Sequence, residues 1–277
     1  MAAQSALLRP DMQPLDSFPM AARRRIRGVL ADIDDTITTE GQLTAAAYGA
    51  LERLRAAGFL MVPITGRPAG WCDHIARMWP VDAVVGENGA FYFRYDATAR
   101  KLVKRFLASD EERAANRRRL AAVRDRILAA VPGAALASDQ LYREADLAID
   151  FCEDVPPLPR ADVDRIVALF GEAGATAKVS SIHVNGWFGT YDKLGMTRIM
   201  LRECFAIDLD AERDRFVFAG DSPNDAPMFE FFPNAVGVAN VADFADRMSA
   251  LPAYVTRSRC GTGFVELADA LIAARAV

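Results

Sequence analysis

From residue 28 onward, short apolar runs alternate with longer amphipathic ones, and this alternation constrains the fold more than any other feature. Gly28–Ala31 reads as a buried strand. Ala45–Ala57 reads as a helix, with Thr44 placed to cap its start and Gly58 to stop it. Phe59–Ile64 is a second strand. Pro68–Trp79 is a second helix, with a proline placed to begin it, and Asp82–Val85 is a third strand. Strands alternating with helices predict a parallel sheet covered on both faces.

The rhythm changes after "GENGA" at 86–90. Ala90–Tyr95 and Lys101–Leu107 read as paired strands, and Glu111–Val131 as an amphipathic helix with Leu120, Val123, Ile127, Leu128 and Val131 on one face. Strand patterns follow around 135–137 and 148–152, then a helix at Asp162–Gly174 and a strand region at Lys178–Trp187. The α/β rhythm returns with a helix from Lys193 to about Phe205, a strand at Arg215–Ala219, strands at Ala235–Ala239 and Tyr254–Thr256, and a final helix. The expected fold is α/β: a Rossmann-like parallel-sheet core with helices on both faces, over 28–90 and 188–277, and an inserted α+β cap domain over 91–187. Residues 1–27 are expected to be a loose, poorly ordered leader, with Met20 as an alternative start to Met1.

Composition narrows the function classes. Hydrophobic residues make up 52% and charged residues 25% of the 277, enough for a real core. A net charge of −4 gives no basic footprint for nucleic acid. The basic run Arg117-Arg118-Arg119 lies in a helical pattern and reads as a solvated face. Four scattered cysteines and two histidines argue against thiolate or multi-histidine metal sites and fit a reduced, cytoplasmic setting. No apolar run is long enough for a membrane span, and a monomer or homodimer is expected.

Four polar clusters stand where strands end or helices begin: "DIDDT" at 32–36, Thr65-Gly66-Arg67, Lys193, and "GDSPND" at 220–225. Ligands of open parallel sheets bind outside the carboxyl ends of the strands, so the four should converge on one crevice. Asp32, Asp34, Asp221 and Asp225 together would be unfavourable without a cation, and their hard oxygens suit Mg²⁺. Lys193 adds a positive charge. The turn at Thr65-Gly66-Arg67 offers a hydroxyl and backbone N–H groups to an anion. These parts describe a phosphoryl pocket. Asp32 would attack phosphorus, and Asp34, two residues on, would protonate the leaving oxygen and then activate water. Phosphate monoester hydrolysis is among the slowest uncatalysed reactions, so strong electrostatic assistance is expected.

Read in order, "DIDDT", "ITGR", "YDK" and "GDSPND" resemble the motifs of the haloacid dehalogenase superfamily, over essentially all of 28–270. The insertion between the second and third motifs resembles the α/β-capped type IIB subclass, which includes sucrose-phosphate, trehalose-phosphate and mannosyl-3-phosphoglycerate phosphatases and Cof-like sugar phosphatases. The resemblance implies that Asp32 is the nucleophile and a Mg²⁺ ligand, and that Asp34 is the general acid/base with its carbonyl on the metal. It implies that Thr65 and Lys193 hold the phosphoryl group, and that Asp221 ligates Mg²⁺ with support from Asn224 and Asp225. Asp35 departs from the family's frequent glycine and receives no role.

The cap residues carry two readings each. Ser181, His183 and Asn185 alternate and would share one strand face, looking onto substrate or onto solvent. Arg143 would grip a second anionic group or form a surface salt bridge with its surroundings. Glu87 and Asn88 lie near the crevice or make only a hinge turn. The expected activity is a Mg²⁺-dependent phosphatase of a sugar phosphate or glycosyl-glycerate phosphate. A hexose phosphomutase and a non-catalytic phospho-ligand sensor are the alternatives.

Overall fold

The computed structural model describes residues 12–275. Its elements are β1 (Gln13–Pro14), α1 (Met20–Arg25), β2 (Gly28–Ala31), α2 (Ala45–Ala56), β3 (Leu60–Pro63), α3 (Ala69–Met78), β4 (Val84–Gly86), β5 (Phe91–Asp96), β6 (Lys101–Phe106) and α4 (Asp110–Ala130). There follow β7 (Ala135–Leu136), β8 (Leu147–Asp150), α5 (Arg160–Glu172), β9 (Thr176–Val179), β10 (His183–Trp187) and α6 (Lys193–Phe205). The chain ends with α7 (Leu209–Glu212), β11 (Phe216–Gly220), α8 (Ala226–Phe231), β12 (Val236–Gly237), β13 (Tyr254–Val255) and α9 (Cys260–Arg275).

Six strands form one parallel sheet in the order β1-β13-β12-β11-β2-β3. Its central strands are apolar throughout because both faces are covered. Val29 and Ala31 point to one face, where α2 and α9 supply Leu51, Leu54, Leu267 and Leu271. Leu30 points to the other, where α6 and α8 supply Met196, Met200, Met228 and Phe229. Strand order reverses around β2, which lies between β11 and β3, so the carboxyl ends of β2 and β11 open on the switch point where such sheets bind ligands.

Two expected boundaries move. The leader was expected to be loose over 1–27, but residues 12–27 fold onto the core. Met12, Leu15, Phe18 and Ile26 are buried, Phe18 stacks on Tyr254 at 4.6 Å, and β1 adds an edge strand beside β13. Apolar anchors spaced through a polar segment give no helical or strand period, so the pattern conceals them. Residues 1–11 lie outside the described residues.

The cap was expected to begin at 91, yet the β5–β6 hairpin belongs to the core. An Ile64–Val85 bridge links β3 to β4, β4 pairs with β5, and Phe91 and Phe93 are buried with α3 in the core cluster. The cap proper follows Leu107. It is a four-stranded antiparallel sheet, β7-β8-β10-β9, backed by α4 and α5 around Leu120, Ile127, Ile149, Ile166 and Phe170. Ser109 and Glu112 close a capping box at the start of α4. The single strand expected over Lys178–Trp187 is a tight hairpin, so Ser181 lies in its turn rather than on the strand face of His183 and Asn185.

Candidate active site

Each floor residue is placed by a strand end. The Asp32 N–H donates to the Ala219 carbonyl at 2.9 Å, continuing the β2–β11 ladder by one step and bringing Asp32 beside the loop after β11. Gly220 is required at the end of β11, since a Cβ there would lie 2.5 Å from Asp225 Oδ2. Lys193 arrives as the first residue of α6, behind Asp192, whose carboxylate caps the helix through Gly195 N–H. Gly89 lets the chain after β4 pass this point: its φ is +107°, and a Cβ would sit 2.0 Å from the Asp192 carbonyl oxygen.

Lys193 Nζ lies 3.1 Å from Asp32 Oδ2 and 2.8 Å from Asp225 Oδ1. Carboxylate oxygens of Asp32, Asp221 and Asp225 all fall within 4.8 Å of one another, and the three residues are buried. Burial, together with Asp225 and Asp34, pushes Asp32 up to about 7 despite Lys193. Burial, Asp225 and Asp32 raise Asp221 well above the carboxylate range. Burial works against the Lys193 charge, but Asp225 and Asp32 outweigh it and raise its pKa. Three buried carboxylates thus face one cation.

The remaining lone pairs decide who is free to bind. Asp225 is engaged on both oxygens, by Lys193 and by the N–H groups of Asp221 and Ser222. Asp221 accepts from Thr36 Oγ1 at 2.9 Å and from Asn240 Nδ2 at 3.1 Å, one bond to each oxygen. Asn224 Oδ1 accepts from Ser222 Oγ. An all-oxygen set with excess negative charge fits Mg²⁺. Asp32 and Asp221 are the side chains placed to hold it, with Asp225 holding Lys193 and the loop. Thr36 and Asn240 hold Asp221 in place, a role that motif reading did not assign them. Thr36 stands inside "DIDDT" itself, and Asn240 inside "VGVANV".

Thr65 is fully buried where β3 ends, and its Oγ1 accepts from Arg67 N–H at 3.0 Å. Arg67 spans the crevice. Its Nε lies 3.0 and 3.1 Å from the two oxygens of Asp34, its Nη2 is 2.8 Å from Glu153 of the cap, and its guanidinium sits 4.4 Å over Trp71. Arg67 therefore orients Asp34 and ties the core to the cap. Burial works to raise Glu153, but His183 and Arg67 outweigh it and bring it down to about 2.

The cap residues divide. His183 and Asn185 face the crevice, as alternate strand positions require. His183 Nε2 is 2.9 Å from Glu153 Oε2, an ion-pair distance without hydrogen-bond alignment. Asn185 donates to Asp146. Asn88 is buried at φ +53°, and its amide has no partner; Gly66 leaves the space into which that amide points. It lies behind Gly66 and does not line the crevice.

Arg143 and Glu87 do not act as substrate grips. Arg143 is buried, neither a surface salt bridge nor free for an anion. It donates to Asp139 at 2.9 and 3.0 Å, to Asp146 at 3.0 Å and to the Gly66 carbonyl at 2.9 Å. Glu87 accepts from the backbone N–H groups of Ala69 in the core and of Glu144, Ala145 and Asp146 in the cap. With every lone pair committed across the seam, it fastens cap to core. Burial and Asp146 raise its pKa to about 8 against Arg143 and these donors.

The space between floor and roof is about 10 Å³, lined by Asp32, Asp34, Arg67, His183 and Asn185 among others. That is about one water. A metabolite does not fit in that space while the cap rests on the core.

No protein-family model and no curated protein matches the chain. Solved structures do. The C-terminal domain of trehalose-6-phosphate phosphatase from C. albicans is similar over 97% of this chain and 99% of its own, at a TM-score of 0.72 and 12% identity. Sucrose-phosphatase from Synechocystis, solved with sucrose and phosphate, is similar over 89% and 98%, at 0.60 and 16%. A haloacid dehalogenase-like hydrolase from Bacteroides thetaiotaomicron is similar over 88% and 98%, at 0.60 and 13%. At these identities the likeness is one of fold. The chain has the fold of the haloacid dehalogenase-like hydrolases, in the arrangement that carries an α/β cap between Thr65 and Lys193.

Proposed function

We propose that this protein is a Mg²⁺-dependent phosphatase that hydrolyses small phosphorylated metabolites through an aspartyl-phosphate on Asp32. The observation that carries the reading is the placement of Lys193 Nζ between Asp32 and Asp225 with Asp221 alongside, because this buried floor has more carboxylate than cation. The substrate class, a sugar phosphate or glycosyl-glycerate phosphate, is supported by the fold shared with sucrose-phosphatase and trehalose-6-phosphate phosphatase. A cytoplasmic setting is supported by four cysteines that are all unpaired.

In this mechanism a carboxylate oxygen of Asp32 bonds to phosphorus as the bond from phosphorus to the leaving oxygen breaks. Asp34, held by Arg67, gives a proton to that oxygen. Water then attacks phosphorus while Asp34 takes its proton, and the bond from phosphorus to Asp32 breaks. Lys193 and Thr65 hold the transferring group and offset its charge throughout. Mg²⁺, when bound by Asp32 and Asp221, supplies charge neutralisation that lets one anion approach another. The closed cap leaves room for about one water, which limits solvent during acylphosphate formation.

The test is phosphate release from sugar phosphates with Mg²⁺ present or chelated. Metal-dependent release is expected. No release from any phosphomonoester by folded protein in Mg²⁺ overturns the proposal.

A further inference from the structure

A second space opens beside Asp34. It measures about 230 Å³, and its lining includes Asp34, Asp35, Thr38, Glu40, Arg67 and Glu153. In the reading proposed above, Asp34 protonates the leaving oxygen, so the leaving group must lie next to it, and this is the larger of the two spaces that Asp34 lines.

The lining is acidic. Four carboxylates surround it, and the cation among them, Arg67, is already spent. Its guanidinium donates to Asp34 and to Glu153 and lies 3.5 Å from Asp139. Asp35 follows the catalytic pair at φ +54°, a backbone conformation that aspartate adopts more readily than most residues, and it places a carboxylate in the lining. Lys178, on the crevice-facing side of β9 opposite Asn185, lines neither this space nor the crevice. Arg257 and Arg259 line a neighbouring hollow beyond Asp35, and each pairs with an aspartate, Asp16 and Asp243. With Asp34 carrying the proton it gives to the leaving oxygen, a second phosphate or a carboxylate on the leaving group would still meet Asp35, Glu40 and Glu153 and no free cation in the lining.

The geometry points to a leaving group that carries no second anion, a small uncharged polyol, with Asp35 and Glu40 as the residues that exclude acidic alternatives. This inference rests on the phosphatase reading. It selects the neutral sugar phosphate over the glycosyl-glycerate phosphate. At about 230 Å³ the space is smaller than the roughly 300–1,000 Å³ of drug-sized ligand sites, which suits a group no larger than a single small sugar.

The test uses matched pairs that differ by one carboxylate: glucose 6-phosphate against 6-phosphogluconate, and glycerol 3-phosphate against 3-phosphoglycerate, with p-nitrophenyl phosphate as a general probe. We expect kcat/KM to favour the neutral member of each pair by about tenfold or more at low ionic strength. The gap should narrow at high salt, because exposed charges are screened. It should narrow again in an Asp35→Asn, Glu40→Gln double variant, since asparagine tolerates the backbone of residue 35. The salt series on the unaltered protein stands whether or not the variant folds. Equal or reversed preference within the pairs overturns the inference. A preference that the variant leaves unchanged overturns the roles given to Asp35 and Glu40. No hydrolysis of any compound, p-nitrophenyl phosphate included, overturns the phosphatase reading beneath both.

Discussion

On the floor of the crevice, Lys193 stands between Asp32 and Asp225 with Asp221 beside them, three carboxylates to one cation. In the roof, Arg143 stands between Asp139 and Asp146, and its last contact goes to the Gly66 carbonyl. Both clusters are buried. The roof pairs one guanidinium with two carboxylates and spends it on them and on the core carbonyl of Gly66, which makes it a fastening. The floor has the larger excess, three carboxylates to one cation, and that excess marks where a second cation and, through it, an anionic substrate belong. Residue type alone does not separate these roles, since a buried arginine above a phosphoryl pocket invites the opposite reading.

The largest test of the contrast is to change one side chain on each side. Asp32→Asn should remove the nucleophile and lower kcat by at least about 10⁴-fold. It should leave the protein folded, since burial already disfavours a charge at that position. Arg143→Met should do the reverse. Stranding Asp139 and Asp146 should cost about 3–5 kcal/mol of stability, read by denaturant unfolding, with KM little changed for protein that remains folded. A large KM effect with unaltered stability would return Arg143 to the substrate.

Lys193→Met should reduce kcat by about a hundredfold to a thousandfold, because it removes a charge poised for the transition state. Activity within a few-fold of the parent would show that the floor's electrostatics are not the catalytic device. Glu87→Gln should cost about 1–3 kcal/mol, since an amide nitrogen cannot accept the N–H groups that the carboxylate now takes. Equal stability of the two proteins would remove Glu87 from the seam.

The smallest effect belongs to the half-buried seam at Glu153. Its pKa falls from the ordinary 4.5 to about 2, so the pairing stabilises the protein above pH 4.5 and is lost as pH falls toward 2. Glu153→Gln should lose about 1 kcal/mol or less at neutral pH. The difference from the parent should shrink between pH 4.5 and 2. A difference that grows on acidification would contradict the sign of this assignment.

The floor was legible in the sequence because its residues are local in the chain. Asp32 and Asp34 share a motif, Asp221 and Asp225 share another, and strand-then-cluster spacing places both at one sheet edge. The parallel sheet and most helices were legible through period and through signals such as the Thr44 cap, whereas the Ser109 capping box was not read. The roof was not. Arg143 finds its partners through a 3₁₀ turn with no periodic signature, and Glu153 follows β8 in an irregular loop. The β5–β6 hairpin misled because pairing type cannot say which sheet a hairpin extends. Only the Ile64–Val85 bridge and the burial of Phe91 and Phe93 settle that it belongs to the core.

The most direct test of the central claim is phosphate release from a neutral sugar phosphate, measured with Mg²⁺ and with EDTA, for the parent and for Asp32→Asn. The account predicts turnover in Mg²⁺, none in EDTA, and none from the variant in either. Turnover by a clean preparation of folded Asp32→Asn protein would contradict it.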